Sequence, residues 1–123
     1  MIEGPSGAGK SDLALRLIDR GAVLVSDDRT RVTVEGERVV ALAPETMAGR
    51  IEVRALGIAT TPFVASAPVA LVVRVGGDGE RLPLPLRRDI AGVAVRAVAV
   101  DAFRASAPIK VEWALRQPEL PQP

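Results

Sequence analysis

From Lys10 to Arg20 the chain reads Lys-Ser-Asp-Leu-Ala-Leu-Arg-Leu-Ile-Asp-Arg, with Leu13 four residues before Leu17 and Ala14 four before Ile18. Side chains at that spacing stack on one side of a helix, so the pattern predicts an amphipathic helix that stops at Arg20-Gly21. The uninterrupted apolar run Ala22-Val23-Leu24-Val25 then predicts a buried parallel strand ending at Ser26-Asp27-Asp28. Arg31–Val34 and Arg38–Leu42, separated by Glu35-Gly36-Glu37, alternate as a hairpin does. Pro44 to Gly49 is expected to form a turn or short helix. Arg50 to Ile58 alternates charged with apolar residues, predicting one amphipathic strand with Arg50, Glu52 and Arg54 on the same face. Pro68–Val75 predicts a further apolar strand, Gly76–Gly79 a flexible loop and Arg81–Pro85 an extended stretch. Gly92–Val100 predicts a last strand. Ser106 with Pro108 announces a second helix through Leu115, and three prolines between Gln117 and Pro123 predict a disordered tail.

The 123 residues make one domain by length, expected over 1–116 with the tail at 117–123. Sixteen basic side chains balance fifteen acidic ones, which gives no reason to expect nucleic acid or a membrane surface as partner. The chain has no cysteine and no histidine, so disulfides, thiolate nucleophiles and imidazole bases are excluded; acid–base work falls to carboxylates. No apolar run reaches the length of a membrane span, and a cytoplasmic location is the expectation.

Candidate chemistry concentrates at Gly4-Pro5-Ser6-Gly7-Ala8-Gly9-Lys10-Ser11, which fits the phosphate-loop pattern G-x-x-x-x-G-K-[ST]. Glycines let successive amides turn toward one anion. In this pattern the lysine reaches the β- and γ-phosphates and the Ser hydroxyl reaches Mg²⁺. The helical pattern beginning at Lys10 strengthens the reading, because a helix N-terminus itself favours phosphate. Only three residues precede Gly4, so the strand expected before the loop is cut short: either N-terminal residues are missing from this sequence or the strand is a stub completed in some other way. Asp27 and Asp28, at the end of the expected strand, would face the same crevice, although Asp is also a common turn residue.

The runs Glu3–Leu15, Asp19–Gly21, Leu24–Asp28 and Ile51–Ile58 together resemble the catalytic domain of HPr kinase/phosphorylase, most closely its short proteobacterial form. The resemblance implies an α/β phosphate-loop domain with a mixed, largely β central region flanked by two helices. It implies an ATP- and Mg²⁺-dependent enzyme that phosphorylates a serine of HPr or an HPr-like phosphocarrier, can reverse by phosphorolysis, and assembles as a homo-oligomer, a hexamer in the family. By position, Gly4–Ser11 bind phosphate, Ser11 and Glu52 serve the metal, and Asp27 is the base on the serine hydroxyl with Asp28 beside it. Arg54 lies near the phosphates, Arg81 matches a mobile-loop arginine that closes on the transferred group, and Arg96 stands where the family often has lysine. Two departures are visible. The family carries a histidine upstream of the loop, and Arg54-Ala55-Leu56-Gly57 stands for the more usual Arg-Gly-Leu-Gly. An alanine there would be strained if the backbone needs a positive φ.

Three other readings compete. A small-molecule kinase would use the same loop and aspartate on a metabolite hydroxyl, and a nucleotide-binding domain without catalysis would explain the missing histidine. A GTPase ranks low, because a chain without asparagine cannot carry the guanine-reading N-K-x-D.

Overall fold

The computed structural model describes residues 1–77 and 86–117. Its main sheet has four strands in the order β1 (Ile2–Glu3), β7 (Val72–Val75), β9 (Val93–Val100) and β8 (Leu86–Ile90). β7 runs parallel to both β1 and β9, and β8 is antiparallel to β9. Two helices, α1 (Lys10–Asp19) and α2 (Ala107–Arg116), pack on one face. There Leu13, fully buried, meets Val73, Val75, Val100, Val111 and Ala114. The alternation of β7 and β9 puts Val72, Val95 and Ala97 on the other face, where they pack with Ile90 and with Val39 of a second sheet. That sheet consists of β2 (Arg31–Glu35), β3 (Arg38–Leu42) and β6 (Ser66–Pro68), all antiparallel. A separate hairpin joins β4 (Arg50–Val53) to β5 (Gly57–Thr60). The expected α/β class with a mixed sheet and two helices is therefore present.

Several elements form as the pattern predicts. These are α1, the β2–β3 hairpin turning at Gly36-Glu37, and a 3-10 turn at Glu45–Met47 between Pro44 and Gly49. α2 starts as expected with Pro108 in its first turn, but Ser106, at the cap position, makes no side-chain cap bond.

Three expectations are corrected. The 22–25 run is not a strand. Its one ladder contact is a parallel bridge between Leu24 and Phe63, with the Val64 amide donating to the Leu24 carbonyl, and Val23 is half exposed. Apolar residues supply the propensity for a strand, but a single bridge on one side does not make a ladder. The 50–58 run is two strands, because Leu56 N–H bonds back to Val53 and the chain reverses at Arg54-Ala55-Leu56. Arg54 thus leaves the face that Arg50 and Glu52 share. The 68–75 run divides between two sheets. Pro68 offers no N–H to a ladder, the Val69 amide goes to the Val39 carbonyl, and pairing resumes with β7. β8 had no sequence expectation at all. Arg81–Pro85, most of the glycine loop after Gly77, and the tail beyond Gln117 lie outside the described residues.

The two helices are tied at the surface, where the Arg20 guanidinium donates two bonds to Glu112 Oε1 at 2.8 and 2.6 Å. That bond holds the Glu112 carboxyl below its ordinary 4.5. A carboxyl depressed in the folded state stabilises fully above its unfolded value, and the effect is lost as pH falls through the folded value. Glu112→Gln is accordingly expected to lower Tm slightly at pH 7, as exposed pairs do. In thermal melts the gap from the unsubstituted chain should close as pH drops below 4.5. Trp113, half exposed on the same helix, lies 5.8 Å under the Arg116 guanidinium.

Candidate functional site

The glycine loop connects the end of β1 to the start of α1. Two observations explain its residues. A Cβ on Gly4 would overlap the Val75 carbonyl oxygen and stand 2.9 Å from Val75 Cγ2, so only glycine lets the loop leave the sheet there. Gly9 has φ +92 and directly precedes Lys10, turning the chain into the helix; the Leu13 amide closes the first turn onto the Gly9 carbonyl at 2.9 Å. Between them Ala8 is buried and its amide donates to Pro5 at 3.2 Å, while Pro5, Ser6 and Gly7 are exposed at the crown. Lys10 Nζ donates to the Gly4 carbonyl, placing its ammonium inside the loop. The open amides, that ammonium and the N-terminus of α1 all favour an anion there.

Beneath the loop, Glu3 ends β1 with Arg88 Nε 3.0 and 3.2 Å from its two carboxylate oxygens and Arg74 Nε 3.8 Å away. Behind it, Arg16 of α1 grips the connection from β9 to α2, donating to the Ala102 carbonyl and, at 3.1 Å, to that of Arg104. Arg16 Nε also lies 3.1 Å from Asp12 Oδ2, close enough for charge attraction but not aligned for a hydrogen bond. None of Glu3, Arg16, Arg74 or Arg88 was expected to matter, since their use depends on which elements become neighbours.

An open groove of about 620 Å³ runs from the loop between α1, β1 and the 22–28 segment. Lys10, Ser11, Asp27 and Asp28 share its lining with Gly4, and its floor is apolar, with Ile2, Leu17, Leu24 and Val73. Asp27 and Asp28 therefore line the same groove as Lys10 and Ser11, from an irregular segment rather than from the end of a strand. Asp27 is held in place by the Glu52 amide, which donates to Asp27 Oδ2 at 2.9 Å. Asp28 adopts φ +62, a conformation that aspartate tolerates better than most residues, and the Ser26 hydroxyl donates to the Arg29 carbonyl across the turn.

The remaining candidates are less close. Glu52 meets Asp27 through its backbone; its own side chain is exposed and does not line the groove. Among the described residues no three Asp, Glu, His or Cys side chains gather to hold a metal ion by themselves. Arg54 is exposed in the β4–β5 turn, and Arg81 lies outside the described residues. Arg96 points away, donating to the Ala114 carbonyl of α2 at 2.6 Å.

Ala55 does have the positive φ its neighbours predicted, +72. An L-residue held there stores about 1 kcal/mol of strain, so Ala55→Gly is expected to raise unfolding stability by up to that amount in a denaturant titration.

An amide-lined glycine loop that opens a helix beside a carboxylate-lined groove is the arrangement of an α/β phosphoryl-transfer domain. Comparison with known proteins agrees. The family model of the HPr serine kinase C-terminal domain matches residues 1–63. The HPr kinase/phosphorylase of Clostridium tetani is 33% identical over 113 residues, which cover 81% of this chain and 37% of that protein. Its counterpart from Leptothrix cholodnii is 37% identical over an alignment of 133 positions, gaps included, that covers 94% of this chain and 41% of that protein. The solved HPr(Ser) kinase/phosphatase of Coxiella burnetii superposes with a TM-score of 0.78 at 30% identity, covering 94% of this chain and 83% of that one. The chain belongs to the HPr serine kinase C-terminal domain family. It spans about two fifths of the length of the curated relatives it matches.

Proposed function

We propose that the chain is a catalytic domain that uses ATP and Mg²⁺ to phosphorylate a serine of HPr or an HPr-like phosphocarrier. The observation that carries this reading is the meeting of Lys10, Ser11, Asp27 and Asp28 in one groove beside the glycine loop. The loop amides and Lys10 would hold the triphosphate and neutralise charge on its β- and γ-groups. In the transfer the acceptor serine oxygen bonds to the γ-phosphorus as the bond to ADP breaks, and the hydroxyl proton passes to Asp27. Asp27 needs to be fixed for that, and the Glu52 amide fixes it. In the reverse direction inorganic phosphate attacks phosphoserine, pyrophosphate forms, and Asp27 returns the proton. The hydroxyl of Ser11 and the carboxylate of Asp28 are hard oxygen donors of the kind Mg²⁺ accepts, and the bound ion would spread charge from the phosphates. Phosphate oxygens and water would complete its coordination. Arg54 and Arg81 would approach the transferred group only from their loops, and the working unit would be a homo-oligomer in the cytoplasm.

The test is incubation of the purified chain with Mg-ATP and an HPr protein, followed by mass spectrometry for phosphoserine. Phosphoserine is expected, and it should disappear in Lys10→Ala. Bound Mg-ATP without phosphoserine would overturn the protein-kinase reading in favour of a small-molecule acceptor or a binding role. Absence of nucleotide binding would overturn the site itself.

A further inference from the structure

The chain has only three aromatic residues, two Phe and one Trp, and one of them stands mostly exposed against the glycine loop. Phe103 follows the last strand, and a Cβ placed on Gly9 would lie 3.3 Å from its ring edge and 3.0 Å from the Ala102 methyl. Phe103 is 74% exposed, yet it does not sit on a loose segment. Its amide donates to Asp101 Oδ1 at 3.0 Å, the Arg104 amide donates to the Asp101 carbonyl at 3.1 Å, and Arg16 grips the carbonyls on either side. A rigid turn thus presents an apolar ring to solvent beside an anion loop.

Position gives the ring a use. The groove with Asp27 and Asp28 opens from the Lys10–Ser11 side of the loop, and Phe103 is not part of its lining. A nucleotide whose terminal phosphate faces those carboxylates must send its nucleoside out at the opposite end. The 101–104 turn lies outside that lining, against Gly9 and beside α1, where Arg16 meets it, and is the surface next to the loop that such a nucleoside would reach.

We propose that Phe103 is the platform on which the nucleobase of the bound nucleotide stacks. The inference rests on the nucleotide reading of the loop and adds the contact that recognises the base. Stacking needs only a π-face and no hydrogen-bond code, which suits a turn whose amides are already engaged within the chain.

The experiment compares ATP with inorganic tripolyphosphate, both with Mg²⁺, by titration calorimetry on the unsubstituted chain, Phe103→Leu and Phe103→Trp. Phe103→Leu is expected to bind ATP about tenfold more weakly while its tripolyphosphate affinity stays within about twofold. Phe103→Trp should keep ATP affinity and, in a Trp113→Phe background, show fluorescence quenching by ATP but not by tripolyphosphate. An equal loss for both ligands in Phe103→Leu would make the ring a prop for Gly9 and overturn the proposal, as would unchanged ATP affinity. An unsubstituted chain that binds both ligands equally well would remove the base platform and leave the phosphate loop standing; one that binds neither would remove both.

Discussion

Gly4→Ala is expected to cost about 3 kcal/mol of stability and to abolish ATP binding together with it. The added methyl would overlap the Val75 carbonyl oxygen, and that oxygen has nowhere to go. β7 is paired on both sides, to β1 and to β9, and Val75 is 2% exposed, sealed against Ala8 and Val100. The loop would have to lift instead, taking with it Ala8 from the core and Lys10 from its hold on the Gly4 carbonyl. Chemical denaturation measures the first effect and calorimetry with Mg-ATP the second. A variant that unfolds at the original midpoint and still binds ATP would show that the loop does not rest on β7 as described.

Asp27→Asn is expected to lower phosphoserine formation about a thousandfold while changing Mg-ATP affinity little, the separation expected when only proton transfer is removed. Asparagine keeps the shape and an acceptor oxygen, so the bond from the Glu52 amide can persist and the segment should stay in place. What it loses is the capacity to take the serine proton. Single-turnover assays with HPr, alongside ATP titrations, separate the two quantities. A comparable fall in ATP affinity would mean that Asp27 serves the nucleotide rather than the acceptor.

How much of this was legible in the sequence depends on where each element's reason lies. The glycine loop, α1 and the β2–β3 hairpin carry their causes locally, in turn residues, side-chain spacing and alternation, and they form where the pattern puts them. The 22–25 run fails because a strand needs a continuous ladder rather than one bridge, and no property of Val23 or Leu24 reports how far a neighbour will pair. The 50–58 stretch misleads for another reason. Two antiparallel strands with a three-residue turn between them can keep an unbroken alternation, and Ala55, where glycine would have signalled the reversal, conceals it. At the site, Asp27 and Asp28 are expected at the end of a strand that does not form, and they line the groove all the same; the Glu52 amide that holds one of them could not be foreseen, since a backbone donor leaves no mark in the sequence. Phe103 left a faint sign, a lone aromatic just beyond the last strand. Arg16 left none, because its partners are carbonyls more than eighty residues away.

The place of Trp113 decides how such a protein can be watched. The chain has no tyrosine and a single tryptophan, and that indole lies half in solvent on α2, next to Arg116 rather than near the glycine loop. An indole so exposed is expected to emit like a wet one in the native state, so unfolding should shift the colour little and ligand binding hardly at all. Intrinsic fluorescence is therefore a nearly silent channel here, and any optical view of the loop has to bring its own chromophore.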